Sequence, residues 1–301
     1  MRRPVVASIA VVTFGGALFT LLSLTACYSN VASDSPGDPP ADAGAGDTPR
    51  ALGGGSRIRA LTNTMLEDHP AQDASVDITG ATVIVIDSFD ETHNGKSIGY
   101  VYVQDVGPAP VPGYSGIVLY KPNYSPPNLL LQPGDVIDMT GTYQDYRYQG
   151  WIAGETQPEL YEPTVTFRFE YTPPQPTVLP VGDIPDPYTF ALFEKGYPWM
   201  SMLVEIDDVH LTESVPDGTG RQAIYFTTDT SVNAPSVSNE LFDLNPADYG
   251  CVPTSTGNCE VVHCDCTKSP KAHLSKLIGV VTFFYGYHIA PRSPADLVIA
   301  Q

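Results

Sequence analysis

The fold is decided by one stretch of sequence, Leu131-Gln132-Pro133-Gly134-Asp135-Val136-Ile137-Asp138-Met139-Thr140-Gly141-Thr142-Tyr143. A Pro-Gly turn opens it, and from position 136 onward apolar side chains alternate with Asp and Thr, which predicts a half-buried β-strand. Gly141 interrupts this strand, and a glycine inside a barrel strand permits the bend or bulge that closing a small barrel requires. The stretch therefore predicts one strand of a small β-barrel.

Short apolar and aromatic segments, separated by turns, lie on both sides of this strand. With 29 prolines, 26 glycines and 17 tyrosines, the composition favours many short strands over long helices. We therefore predict an all-β fold, whose first-half strands lie at 78–86, 98–104, 114–120, 136–143 and 164–171.

A proline-rich joint, Pro173-Pro174-Gln175-Pro176, follows these strands, and a comparable pattern restarts after it. Gly279 in the second half lines up with Gly141 in the first, which indicates a diverged internal repeat. We predict a first barrel over 74–172 and a second β domain over 173–301. The strands of the second domain are expected at 201–211, 223–228, 240–242 and 274–288.

The segment 277–287 is apolar on both faces. Its large apolar side chains divide into Leu277, Val281 and Phe283 on one face and Ile278, Val280 and Phe284 on the other. A strand that is exposed on one side alternates apolar and polar residues, and this one does not. We therefore predict that one face fills the second barrel while the other packs on the first domain or on a helix.

Particular runs in both halves have a recognisable pattern. In the first half they are Gly99-Tyr100-Val101-Tyr102-Val103-Gln104-Asp105, Tyr114-Ser115-Gly116-Ile117 and 131–141. In the second half they are Met202-Leu203-Val204-Glu205-Ile206, Gly279-Val280-Val281 and the closing segment 285–297. Together these runs resemble the OB-fold domains of bacterial secreted and surface proteins, which often accompany extracellular nucleases. The resemblance, which covers 76–300, implies two tandem OB-like barrels that bind extended ligands across an open sheet face. No nuclease module accompanies them here, so the resemblance supplies no catalytic residues.

The first 26 residues have the layout of a secretory signal peptide: a basic start, an apolar run and small residues at the end. The end, Leu24-Thr25-Ala26-Cys27, resembles the bacterial lipobox, which implies cleavage before Cys27 and lipidation of that cysteine, with palmitate among the acyl chains. Residues 27–73 are rich in Ser, Ala, Gly, Pro and Asp and predict a disordered tether, in which a short helix at 58–66 is the alternative. Tyr28 stands where the inner-membrane retention signal has an aspartate, which favours the outer membrane of a Gram-negative cell envelope.

Four further cysteines, Cys251, Cys259, Cys264 and Cys266, lie close together near the end of the chain. In an oxidising, exported setting an even number of cysteines indicates disulfides. Because neighbours two apart seldom bond to each other, the pairing is either 251–264 with 259–266 or 251–266 with 259–264. A zinc site built from these thiols and His263 is the alternative, although the spacing lacks paired CxxC motifs.

The formal net charge is −19, and removal of the signal would take away two arginines and no acid. Such a charge repels phosphate backbones, which weighs against a nucleic-acid partner. The expected partners are the membrane, through the lipid anchor, and an envelope protein or a polysaccharide.

Aromatic residues crowd one turn region and form the candidate binding face, which consists of Tyr143, Tyr146, Arg147, Tyr148 and Trp151. Aromatic rings stack on sugars, bases or proline-rich peptides, but packing in the core and rim of a Tyr-rich barrel explains the same residues more simply. The chain has no Gly-x-Ser-x-Gly, no His-Glu-x-x-His and no phosphate loop, so we predict no catalytic residue, no metal and no cofactor.

The expected function is that of a lipid-anchored, non-catalytic binding or scaffold protein of the cell envelope. The alternative is an accessory or catalytic component that processes an extracellular polymer, either polysaccharide or nucleic acid.

Overall fold

The computed structural model describes residues 55–107, 110–147, 154–185, 190–218, 220–228 and 234–301. The predicted signal peptide, Cys27 and the first half of the predicted tether lie outside the described residues, as do Tyr148 and Trp151. All described residues belong to one unit, Asp38–Gln301. Among them, no helix is long and apolar enough to span a membrane. The predicted all-β fold is confirmed.

Six strands form the first sheet, and five of them close into a barrel. β1 pairs antiparallel with β2 and β5, β2 with β3, and β5 with β6, while β3 and β6 pair in parallel and complete the ring. The short β4 pairs in parallel with β6 outside this ring. The strands are Ser75–Ile86 (β1), Val101–Asp105 (β2), Gly116–Tyr120 (β3), Asn123–Ser125 (β4), Asp135–Tyr146 (β5) and Gln157–Glu170 (β6).

A short helix, Ile58–Thr62 (α1), plugs the first barrel. Ile58 and Leu61 lie three positions apart, share one face of the helix and pack into the barrel core. Asp105 at the end of β2 fixes the start of the helix, since its two carboxylate oxygens accept from the backbone N–H groups of Ile58 (2.8 Å) and Arg59 (3.0 Å). The ordered part of the chain therefore begins before position 74, and residues 55–73 do not all belong to a disordered tether.

Nine strands form the second sheet, and five of these also close. β8 pairs antiparallel with β9 and β13, β9 with β10, and β13 with β14, while β10 and β14 pair in parallel. A helix, Phe190–Gly196 (α2), precedes the ring. The strands are Thr177–Val178 (β7), Leu203–Pro216 (β8), Gln222–Thr227 (β9), Ser236–Ser238 (β10), Val252–Pro253 (β11), Cys264–Asp265 (β12), His273–Phe283 (β13), Tyr287–Ala290 (β14) and Leu297–Ile299 (β15).

The two rings share a cyclic strand order, and the two aligned glycines occupy matching places in it. Gly141 on β5 pairs with Val76, the second residue of β1, and Gly279 on β13 pairs with Val204, the second residue of β8. A Cβ on Gly141 would lie 2.9 Å from a Leu160 side-chain carbon, and one on Gly279 would lie 2.8 Å from the backbone of β14. In each ring the fourth strand therefore needs glycine at the point where it comes close to the fifth strand. That both rings share this requirement at matching positions supports the internal repeat.

The two barrels pack together through their outer faces. In the first barrel Tyr102 and Val118 point away from the barrel core, and they lie in one buried apolar cluster with Leu203 and Val280 of the second. Ile278 packs against the same cluster. Leu277, Val281 and Phe283 instead fill the second barrel. The prediction that 277–287 packs on both of its faces is confirmed.

Two disulfides hold the long connection between β10 and β13. They join Cys251 to Cys266 and Cys259 to Cys264, which is one of the two pairings that the sequence left open. All four sulfur-bearing residues are buried in the core of the second barrel. Because the thiols are oxidised, they provide no zinc site with His263.

Candidate functional site

A cleft of about 490 Å³ lies between the two barrels, and we call it the inter-barrel cleft. Its walls include equivalent parts of the two rings: the connection between the first and second ring strands, and the place where the fourth ring strand ends and the fifth begins. In OB-type barrels the connections at these places and the second and third strands form the ligand site. The structure brings these parts of the two rings together at one place.

The first barrel supplies one wall of the inter-barrel cleft. Glu91, Ile98 and Tyr100 come from the connection between β1 and β2, while Tyr146 and Gln157 stand where β5 ends and β6 begins. The ring of Tyr100 is held edge-on against Tyr102 and Tyr120, with centroids 6.2 and 5.7 Å apart. Tyr100 therefore offers a fixed aromatic surface.

The second barrel supplies the opposite wall of the cleft. Asp217 and Arg221 come from the connection between β8 and β9, and Phe284 and Tyr285 from the tight connection between β13 and β14. The rings of Phe284 and Tyr285 meet edge to face with centroids 4.6 Å apart. Aromatic side chains therefore face the cleft from both barrels.

An ion pair ties the two walls of the cleft together. The guanidinium of Arg221 donates to Glu91 Oε1 from Nη2 at 3.0 Å and from Nε at 3.3 Å, and the same guanidinium lies 4.3 Å from the Phe284 ring centroid. Gly220, at φ +106°, sits so close that a Cβ there would lie 2.6 Å from the Glu91 carbonyl oxygen. Because Glu91 is buried, the pair fixes the two connections against each other.

Hydrogen bonds hold the polar groups of the cleft in place. Asn239 accepts from the backbone N–H of Gln222 at 2.9 Å and donates to the carbonyl of Gly220 at 2.9 Å. Glu240 accepts from the hydroxyl of Thr282 at 2.5 Å. His288 shares one hydrogen bond with Ser236 Oγ at 2.6 Å. These side chains are organised by the protein itself, as in a preformed ligand site.

Buried carboxyl groups make the surroundings of the cleft acidic. Burial, and after it the nearby carboxylates of Glu240 and Glu91, raise the pKa of Asp87 to about 7. Burial also raises the pKa of Glu159 to about 7, against the lowering effect of Lys121. The pKa of Tyr100 is raised above its ordinary value by burial and then by Glu159 and Glu240. A negatively charged ligand would be repelled here.

A row of aromatic rings leads from Tyr100 along the outside of the first barrel. Tyr100 contacts Tyr120, and Tyr120 contacts Tyr161, each with centroids 5.7 Å apart. The ammonium of Lys121 lies 4.9 Å from the Tyr120 ring centroid. The row extends the aromatic surface of the cleft in one direction, which suits an elongated ligand.

The predicted binding face is only partly at the surface. Tyr146 lines the cleft and Arg147 is exposed, but Tyr143 is fully buried in the first barrel and its hydroxyl donates to Asp145 at 2.9 Å. Tyr143 was therefore wrongly included. Successive side chains of a strand point to opposite faces, so Tyr143 lies on the same face of β5 as Met139, whose side chain points inward. This alternation predicts that Tyr143 is buried in the core.

The sequence reasoning missed the residues that the second barrel brings to the cleft. Arg221, Phe284 and Tyr285 lie 121, 184 and 185 positions after Tyr100 in the sequence, so no local motif joins them. It also missed Asp208, His210 and His273, which are the one group of three metal-ligating side chains found among the described residues. The histidines are 63 positions apart and looked scattered.

The comparisons with known proteins do not identify the site. No family model matches the chain, and neither a curated protein nor a solved structure matches it. The function must therefore be argued from the geometry.

Proposed function

We propose that this chain is a lipid-anchored, non-catalytic binding protein of the bacterial cell envelope, whose two OB-like barrels hold an elongated neutral carbohydrate in the inter-barrel cleft. The observation that carries the proposal is one cleft, lined by residues of both barrels, that is both aromatic and rich in hydrogen-bond acceptors. Neither barrel has this cleft by itself.

The chemistry of the walls favours a carbohydrate. Sugar rings present apolar C–H faces that pack on aromatic rings such as Tyr100 and Tyr285, and their hydroxyl groups donate to carboxylates and amides such as Glu240 and Gln157. A phosphate backbone instead needs cationic partners. Arg221 lines the cleft, but it is already engaged by Glu91, and the net charge of the chain is −19.

The carboxylates that line the cleft favour binding over catalysis. Of the three carboxylates that line the cleft, Glu91 is held by Arg221 and Glu240 by Thr282, and Asp217 is also engaged within the protein. Asp87, whose raised pKa of about 7 would suit a general acid, does not line the cleft. A group that does acid–base chemistry must lie within hydrogen-bond reach of the reacting atom.

An array experiment tests the ligand class. The full chain is applied to immobilised neutral oligosaccharides, sulfated oligosaccharides and single-stranded oligonucleotides. We expect binding to neutral oligosaccharides, and a loss of about fivefold or more in Tyr285→Ala, taking the contribution of about 1–3 kcal/mol that one aromatic side chain makes when a nucleobase stacks on it as the scale. Tyr171→Ala is the matched control, since Tyr171 is also exposed (42% against 56%) and lies outside the cleft. Binding to oligonucleotides alone, or equal loss in both variants, would refute the proposal.

The membrane anchor is tested separately. Cys27 is set apart from the four cysteines that form the two disulfides, and disulfides are compatible with an exported protein. We expect a clickable palmitate analogue to label the wild-type chain in growing Gram-negative cells and the chain to fractionate with the outer membrane. The Cys27→Ser variant should be neither labelled nor membrane-bound. Undiminished labelling of that variant would show that Cys27 is not the acceptor.

A further inference from the structure

Two histidines stand opposite each other on the outside of the second barrel. His210 on β8 and His273 on β13 are directly paired across the antiparallel strands. Their rings are stacked, with centroids 4.1 Å apart and planes inclined by 12°. Because His273 begins β13 and Phe283 ends it, this place lies about 30 Å from the cleft end of the strand.

An aspartate completes the group. Asp208 Oδ1 lies 2.7 Å from His273 Nε2 and 3.8 Å from His210 Nε2. The backbone of Asp208 has φ 55°, in the left-handed region that a non-glycine residue seldom adopts. As a result the strand's alternation is interrupted, and residues 207 and 208 are both exposed between buried Ile206 and Val209. The local backbone thus presents Asp208 on the same outer face as the two histidines.

The geometry points to a binding site for a divalent transition-metal ion, which Asp208, His210 and His273 would ligate together after the two stacked imidazole rings turn their nitrogen lone pairs toward one point. One ligand atom from each of the three lies within 4.8 Å of the others. Two imidazoles and one carboxylate suit borderline ions such as Zn²⁺, whereas Ca²⁺ and Mg²⁺ prefer oxygen ligands. The net charge of −19 also favours the approach of a cation.

The three side chains leave room for further ligands. Asp208, His210 and His273 expose 55, 46 and 40% of their side chains. Three protein ligands on one side of an ion leave at least one tetrahedral position open to solvent. A metal held here is therefore exchangeable, unlike the ion of a closed structural site.

The competing explanation is an ordinary His273–Asp208 ion pair. Such a pair needs only the 2.7 Å contact and gives His210 no function. A metal site needs all three side chains. The two explanations therefore differ in what the His210→Ala variant does.

Zinc titration of the metal-free full chain by calorimetry separates them. We expect one equivalent of Zn²⁺ to bind, with affinity at least about tenfold weaker in each of His210→Ala, His273→Ala and Asp208→Asn. The matched controls are His263→Ala and Asp207→Asn, two exposed residues outside the group, and they should bind as the wild type does. Circular dichroism checks that every variant is folded. Cobalt substitution should give visible absorption bands that disappear in His210→Ala.

Other outcomes overturn the site. If the wild type binds no Zn²⁺, or if His210→Ala binds it unchanged, the group is an ion pair between His273 and Asp208, and His210 is not a metal ligand. If Asp207→Asn weakens binding as much as Asp208→Asn, the ion is attracted to acidic surface in general. Tight Ca²⁺ binding that survives both histidine substitutions would lead to the same conclusion.

Discussion

The two barrels have the same ring of five strands but use different devices to fill and cover it. Helix α1 plugs the first barrel with Ile58 and Leu61, and helix α2 packs Phe193 into the second, which in addition takes both disulfides into its core. Their outer faces differ as well. The second and third strands of the first ring are covered by the second barrel through Tyr102 and Val118, while the second ring leaves Tyr225 exposed on β9.

This difference explains why the cleft, and not a barrel face, is the candidate site. In OB-type barrels the second and third strands form part of the ligand face. In the first barrel these two strands pack on the second barrel, so the proposed ligand site includes the connections of the first barrel and not this face. Those connections meet the equivalent ones of the second barrel, and the Arg221–Glu91 ion pair holds them together.

The largest expected effect follows from breaking the contact between the barrels. Val280→Asp places a charge in the buried inter-barrel cluster and should lower the free energy of unfolding by about 3–5 kcal/mol. Val298→Asp, at a side chain that is 39% exposed, should change it by less than about 0.5 kcal/mol. Urea unfolding followed by fluorescence measures both. Equal stability of the two variants would mean that the cluster does not hold the barrels together.

The next effect concerns the two disulfides, which belong to the second barrel. Replacing Cys251 and Cys266 with alanine opens a loop of 15 residues and should cost about 3 kcal/mol. Replacing Cys259 and Cys264, whose sequence separation is 5, should cost about 2 kcal/mol. Differential scanning calorimetry ranks the two double variants. A smaller loss from the longer loop would show that loop closure is not the source of the stabilisation.

A smaller effect is expected from the ion pair between the walls of the cleft. Arg221→Ala leaves the buried carboxylate of Glu91 without its partner and should cost about 1–3 kcal/mol. Arg168→Ala removes the partly exposed ion pair between Arg168 on β6 and Asp138 on β5, both in the first barrel, and should cost at most about 1 kcal/mol. Denaturant titration compares the two. If Arg168→Ala is the more harmful substitution, the pair in the cleft is not what fixes its walls.

The last effect is a pH dependence, for which the direction is predicted. A carboxyl whose pKa is higher when folded contributes stability below its unfolded pKa and loses that contribution as the pH rises through its folded pKa. For Asp87, whose pKa rises from 3.8 to about 7, stability should therefore fall as the pH rises across this window. Asp87→Asn should flatten the slope and be the more stable protein at pH 8. An unchanged slope in thermal melts between pH 4 and 8 would contradict the role of Asp87.

Much of the fold follows from local patterns in the sequence. Alternation around Met139 and the apolar faces of 277–287 are patterns of neighbouring residues along the chain. Helix α1 was only an alternative because Ile58 and Leu61 lie in a segment whose average composition is polar. Its two apolar residues matter through the barrel that they enter, and composition does not show that.

The candidate sites could not be derived in the same way. The inter-barrel cleft depends on which connections meet once the barrels pack, and the pairing of His210 with His273 depends on strand register. Both are long-range properties. Cysteine spacing reduced the disulfides to two pairings, and only the folded loop selects between them.

Hydrogen–deuterium exchange tests the central claim most directly. The full chain is compared with and without the neutral oligosaccharide that binds most tightly on the array. We expect slower exchange in both barrels at once, over 91–100 in the first and over 217–222 and 283–288 in the second, with no change near Asp208. Protection confined to one barrel, or located away from these three segments, would contradict a ligand site shared by the two barrels.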